Sequence, residues 1–312
     1  MKNLTRILVM AALGLLTLPA AYGNEGADAY PNGVESWQVG SLPPSGLYFI
    51  NYSIYYSGQL KDGTGANVKL SGGTPAVDAM ADAVRTMWVS DRKIWGADFG
   101  AYLVLAGVDQ RVNLNGRRGM SGIGDAAFSP FVLGGHGKNW NWVASVELDA
   151  PLAHFDKNDP RVSLGTNYWS YQPHVGISFL PKSGWEATGK FMYNLNAADA
   201  STRYRSGQNF HFDYVAGKHL GRWSLGASGY VLKQMTNDTV NGQAVTAIAG
   251  LYDTGRRGQA LAVGPSVKYE SKSHIGFVVQ YGHEALVRNR FGGDKLVFRM
   301  IVPAGWFKAP GI

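Results

Sequence analysis

Residues 259–284 read QALAVGPSVKYESKSHIGFVVQYGHE. Leu261, Val263, Pro265, Val267 and Tyr269 share one parity, and Ala262, Gly264, Ser266 and Lys268 the other. After a polar turn at 271–273 the pattern resumes. Ile275, Phe277, Val279 and Tyr281 lie on one face, and Gly276, Val278, Gln280 and Gly282 on the other. A period of two over about ten residues predicts paired strands, because no helix groups those residues on one side. One face is large and apolar, the other mostly small or polar. The same pairing recurs along the chain, which limits it to all-β folds.

The chain of 312 residues contains no cysteine, so no disulfides hold it together. Residues 1–23 read as a secretory signal. Lys2 and Arg6 form a positive start, an apolar run follows to Leu18, and Ala21-Tyr22-Gly23 offers a cleavage site. The apolar run is shorter than a spanning helix needs, which argues against a membrane anchor. Removing Lys2 and Arg6 takes two from the formal charge of +7, leaving +5. Charged residues make up only 16%, against about 25% in an average soluble domain. An exported chain rich in glycine, aromatics and strands has two destinations, a soluble β-sandwich or an outer-membrane barrel.

Residues 24–45 are polar and turn-rich and read as an irregular periplasmic lead-in or a plug. About twelve strands follow within 46–303, at 46–56, 78–89, 94–108, 122–133, 140–150, 168–180, 185–196, 210–218, 223–235, 259–270, 275–284 and 295–302. The second is the weakest, and residues 75–79, which lack alternation, suit a short helix. Connections alternate long and short down the chain, with a basic loop at 109–121 and a last loop at 285–294. Up-and-down outer-membrane barrels sort their loops this way, and Greek-key sandwiches do not. Trp88, Trp95, Trp140, Trp142, Trp185, Trp223 and Trp306 all fall near the short turns or the chain's last strand, as expected of one interfacial belt. In lipid the sheet must close. The expectation is an all-β, up-and-down transmembrane antiparallel barrel of about 12 strands, apolar parity toward lipid and small or polar parity toward the lumen. Residues 304–312 form a C-terminal tail.

The residues then resemble a known family. Its marks are Tyr30-Pro31-Asn32-Gly33, Leu42-Pro43-Pro44, Gly122-Ile123-Gly124-Asp125 with Pro130, YRSGQNFHFD at 204–213, Gly229-Tyr230 with Gln234 and Asp238, and Gly264-Pro265 with Tyr269. In this order they resemble the bacterial outer-membrane β-barrel family named for the meta-pathway of phenol degradation. The resemblance implies transport of aromatic or other apolar compounds. One departure is the run past Val302 to Ile312, with Trp306-Phe307 the nearest aromatics, which bears on recognition by the barrel-assembly machinery.

The inward parity carries the candidate pore-lining or binding residues Arg85, Asp98, Tyr102, Asp125, Glu147, Asp149, His174, Lys190, His211, Asp213, Lys268, Gln280 and Arg299, together with Glu186 and Glu284. Mixed signs suit either a charge-paired filling or a solute path. No catalytic signature stands out. Gly122-Ile123-Gly124-Asp125-Ala126-Ala127 mimics a dinucleotide motif but leads into strand alternation. His283-Glu284 has no second histidine. His174 and Ser178, four residues apart on a strand, are roughly 13 Å from each other. Asp156 and Asp159 could hold a cation only weakly. No cofactor or metal is expected, and the reading is not an enzyme, with an outer-membrane lipid hydrolase the least favoured alternative. Arg111, Arg117, Arg118, Arg203, Arg205, Arg256 and Arg257 give the long-loop side a basic rim suited to lipopolysaccharide phosphates. The expected function is an outer-membrane channel for small-molecule solutes. The alternative is a structural barrel with a closed lumen. Nucleic acid is not expected, and the oligomeric state stays open.

Overall fold

The computed structural model describes residues 28–245 and 257–305. The proposed signal segment and most of the C-terminal tail, Trp306 included, lie outside them. Twelve antiparallel strands form one closed barrel. They are β1 (Gly46–Lys61), β2 (Ala76–Ile94), β3 (Ala97–Asn113), β4 in two pieces (Arg117–Ile123 and Ala126–His136), β5 (Trp140–Ala150), β6 (Ser170–Phe179), β7 (Trp185–Asn196), β8 (Asn209–Leu220), β9 (Trp223–Gln234), β10 (Gln259–Glu270), β11 (Gly276–Arg288) and β12 (Arg290–Pro303). Each strand pairs with its sequence neighbours, and β1 closes the ring against β12 from Tyr48–Pro303 to Lys61–Arg290. Closure removes the unpaired edges that lipid could not satisfy.

Short turns close one end. Trp95 and Gly96 both take positive φ, 52° and 83°, the geometry that suits a two-residue hairpin to the strand twist. Outward-facing aromatics ring this end. Trp88 meets Phe99 edge-on with ring centroids 5.9 Å apart, and Trp140 and Phe179 lie 4.5 Å apart. Trp223 stands 4.7 Å from Tyr269, and the Lys218 ammonium sits 5.2 Å from the centre of the Trp185 ring. Trp88, Trp95, Trp140, Trp142, Trp185 and Trp223 are all exposed on the outer wall at this end. Indoles gather at such a boundary because it serves both an apolar ring and a polar N–H.

The structure changes several sequence expectations. Residues 75–79 form no helix, since β2 begins at Ala76 and pairs on both sides. Its inward residues include Ala79, Ala81 and Ala83 while its outward ones include Asp78 and Asp82, so neither face shows an apolar contrast. The expected loops at 109–121 and 285–294 are mostly strand. β3 and β4 stay paired out to Asn113–Arg117, and Asn289 alone separates β11 from β12. These hairpins rise past the apolar band, so both faces meet water and the hydrophobic alternation fades while the ladder continues.

In β1 the expected facing is reversed. Tyr48, Ile50 and Tyr52 are buried in the lumen, where they pack with Tyr30, Val34, Leu42, Met87 and Tyr102. The outward parity of β1 instead carries Asn51 and Ser53, which donate to Asp82 on β2 at 2.8 and 2.6 Å. The strands with aliphatic outer faces follow the expected facing, with Leu103, Ile177 and Val263 exposed on the outer wall.

Candidate functional site

Residues 28–44 descend through the lumen without regular secondary structure. Hydrogen bonds and ion pairs to inward side chains hold them. Asp213 on β8 accepts the Tyr30 hydroxyl at 2.9 Å and the Gly33 N–H at 2.8 Å, and the Gln280 side chain donates to the Gly33 carbonyl. Lys295 donates to the Asn32 carbonyl at 2.6 Å. The Trp37 indole donates to Ser266 at 2.9 Å, the Gln38 N–H to Glu186 at 2.6 Å and the Gly40 N–H to Ser178 at 3.0 Å. Gly33 is required by its φ of 78°, and an added Cβ would meet the Tyr230 ring at 2.7 Å. Gly40 lies so close to β6 that a Cβ would stand 2.5 Å from the Ser178 nitrogen.

At the centre of this segment Glu35 meets three neighbouring strands. Arg85 of β2 donates to one carboxylate oxygen at 2.5 Å and Arg299 of β12 to the other at 2.6 Å. The Tyr52 hydroxyl of β1 adds a third bond at 3.0 Å. Glu35 and Arg299 are each only 3% exposed. The Arg85 guanidinium also lies between the Tyr52 and Tyr102 rings, 5.3 and 4.7 Å from their centres. A buried charge survives only when paired and hydrogen-bonded, and this trio satisfies Glu35 in full. It does not satisfy the arginines. Among the described residues, Nε of Arg85 and Nε of Arg299 are buried without a partner.

Toward the short turns the arginines border a cavity of about 660 Å³. Its walls are apolar, with Tyr48, Ile50, Met87, Tyr102, Val132 and Val143. Its inner end is cationic, with Arg85, Lys190 and Arg299 beside Glu35, and its mouth carries Lys268, Glu270 and His274. The opposite half of the lumen is filled by bonded side chains. Tyr56 and Tyr230 both donate to Glu284, the first at 3.0 Å. His211 bonds Asn194 at 2.5 Å, and Tyr168 donates to Ser206 at 2.8 Å.

Of the thirteen residues expected to line a path, Arg85, Tyr102, His174, Lys190, Lys268 and Arg299 border this cavity. The other seven do not. Asp98 sits at the short-turn rim, paired with Lys93 at 3.0 Å and His136 at 3.4 Å. Asp125 interrupts β4 and accepts from the Ala153 and Thr166 N–H groups at 3.0 and 2.8 Å, which ties residues 151–169 to the barrel. Glu147 accepts the Tyr102 hydroxyl at 2.6 Å, and Asp149 accepts from Gln172. His211, Asp213 and Gln280 are consumed by the contacts given above. Their parity is inward, but neighbouring side chains or the 28–44 segment cover them.

The basic rim is likewise partly spent. Arg117 pairs with Asp78 at 3.0 Å and Arg118 with Asp159 at 2.5 Å. Arg205 donates to the Asn196 carbonyl and Arg257 to Asn237, both at 2.7 Å. Arg256 lies outside the described residues. Glu35 escaped the sequence reading. Its signal was isolation, since it is the one charged residue between Asp28 and Lys61.

A closed antiparallel barrel with an aromatic ring around its outer wall and charged groups within is a transmembrane barrel of outer-membrane type. The chain belongs to the family described as "Putative MetA-pathway of phenol degradation", whose model matches residues 57–300. Among solved structures it is similar to an outer membrane channel from Pseudomonas putida F1. That match has a TM-score of 0.69 and 14% identity, and covers 86% of this chain and 98% of the other. The β-domain of the Bordetella autotransporter BrkA is more distant, with a TM-score of 0.43 and 10% identity over 83% and 98% of the two chains. No curated protein matches.

Proposed function

We propose that this protein is an outer-membrane channel for diffusion of small molecules, aromatic and other apolar compounds among them, narrowed by residues 28–44 acting as a plug. The observation that carries the reading is a closed barrel holding a cavity of about 660 Å³ beneath a segment held by separable hydrogen bonds. A ladder of strands encloses the space, while the obstruction inside it belongs to no ladder. The similar Pseudomonas structure is described as an outer membrane channel, and the family description points to phenol degradation. In this reading the exported chain is inserted by the barrel-assembly machinery, and its short turns face the periplasm. Exposed arginines such as Arg111 and Arg203 meet lipopolysaccharide phosphates.

The test is conductance of the refolded full chain in a planar bilayer, beside a variant lacking residues 24–44. The channel reading expects measurable conductance that rises when the segment is removed. The filled long-loop half of the lumen favours a second reading, a structural barrel, which expects no conductance from either protein. Uptake of a labelled phenolic compound unchanged in a deletion strain would remove the aromatic substrate.

A further inference from the structure

We propose that Arg85 and Arg299 form a binding site for the carboxylate of an amphipathic organic acid, and that Glu35 occupies this site as a tethered competitor. The proposal rests on the channel reading for the acid's route, and on the lumen geometry for the site itself.

Donor supply is the first argument. Two guanidiniums, each with five N–H donors in a planar fork, face one carboxylate. Each makes one contact to Glu35 and leaves a buried Nε without a partner among the described residues. An arginine fork matches a carboxylate best through two parallel bonds. Glu35 accepts singly from each arginine, so it underuses both.

Charge is the second. Four basic side chains border the cavity, namely Arg85, Lys190, Lys268 and Arg299, against the carboxylates Glu35 and Glu270. The excess is two positive charges. Low-dielectric walls focus that field on whatever enters. Glu147 and Asp213 stand behind the lining and offset part of that excess through Arg85 and Lys190. One is bonded to Tyr102, and the other holds Tyr30 and Gly33.

Shape is the third. About 660 Å³ bounded by Ile50, Met87, Val132 and Val143 suits the apolar body of a drug-sized molecule, with the arginines at its inner end. The body would lie along these side chains while its carboxylate reaches the forks.

Mobility decides how the site is shared. Arg85 and Arg299 stand on paired strands, whereas Glu35 rides on a segment outside every ladder. Replacing one carboxylate by another leaves the charge balance unchanged. Glu35 can therefore yield to an incoming acid without leaving two buried cations exposed.

The experiment uses the refolded full chain in lipid nanodiscs, with folding checked by heat-modifiable migration. Isothermal titration compares 4-phenylbutyrate with 4-phenyl-1-butanol, which has the same body but no charge. The acid should bind at least about tenfold more tightly than the alcohol, the effect of one charged hydrogen bond or more. Glu35→Gln removes the competitor and should raise acid affinity by about tenfold, leaving the alcohol unchanged. Arg299→Gln should erase the preference, and Arg299→Lys should keep part of it. Equal affinity for acid and alcohol would overturn the site, as would no response to Glu35→Gln. Binding with acid preference but no conductance would support the site and sink the channel. Conductance without acid preference would do the reverse.

Discussion

Arg299, on the last strand, and Glu35, before the first, meet at 2.6 Å with both side chains almost wholly buried. This contact joins positions 264 residues apart. Breaking a buried pair costs about 3–5 kcal/mol, because the remaining charge is left without a partner. Glu35→Ala should therefore release residues 28–44 while the barrel stays closed. Proteinase K should cut near Tyr30 and Trp37 in the variant and spare the wild type, with heat-modifiable migration unchanged. A wild-type digestion pattern would show that Glu35 does not hold the segment.

Arginine on the outer wall should be costly at mid-height. Leu103 and Val146 lie four residues from Phe99 and Trp142 of the aromatic ring. Leu103→Arg or Val146→Arg should each lose about 2–4 kcal/mol in urea unfolding from lipid vesicles. The inward positions do not offer the easy control that parity alone suggests. A side chain at Gly100 would strike the Trp88 carbonyl, with the Cβ already 2.6 Å away. Ser178 is fully buried against Gly40. Arginine at either should prevent correct packing of the lumen, and an unfolding midpoint equal to wild type would contradict that packing.

Asp125 fastens residues 151–169 through two backbone N–H groups and the Thr166 hydroxyl. Asp125→Ala should leave those donors without their acceptor, at about 1–3 kcal/mol for the docked loop. Trypsin should then nick the folded barrel at Lys157 or Arg161. Resistance equal to wild type would locate the loop's anchoring elsewhere.

Within the same loop, the Arg161 and Arg118 guanidiniums hold the Asp159 carboxyl well below the usual carboxylate range. A lowered folded value means the carboxylate form is the one the fold prefers. The clamp is thus fully present above the ordinary carboxylate pKa of about 4 and is lost only as pH falls further, through the lowered value. Amide exchange in residues 156–163 should stay flat, once corrected for intrinsic rate, from pH 8 to pH 5, and protection should fall in stronger acid. Asp159→Asn should flatten that acid-side change. An unaltered pH profile in the variant would rule out Asp159 as its source.

Strand count and outer facing were legible where one face was aliphatic and the other small, as in β10 and β11. Legibility failed in β1 and β2. Tyr48, Ile50 and Tyr52 look lipid-facing by size, yet they pack against Tyr30, Val34 and Leu42 inside. No periodicity in 28–44 announces those partners, which come from across the lumen. The same gap hid the site. Glu147 and Asp149 read as path-lining charges but are bonded to Tyr102 and Gln172. Glu35 sat in a stretch with no strand pattern to assign it a face.

The seam between β1 and β12 also bears on the order in which the chain assembles. Arg85, Tyr52 and Arg299 stand on β2, β1 and β12, three adjacent staves with the seam between the last two. Glu35 can engage all three only after the final stave has been set. Its own segment joins β1 at Gly46 on the short-turn end, so the way to that position is through the open end of the barrel and not through the wall, which the ladder from Tyr48–Pro303 to Lys61–Arg290 seals. The contact of Glu35 with all three staves is therefore a late event, completed once the ring is sealed. Until then Arg85 and Arg299 stand in the wall without their carboxylate.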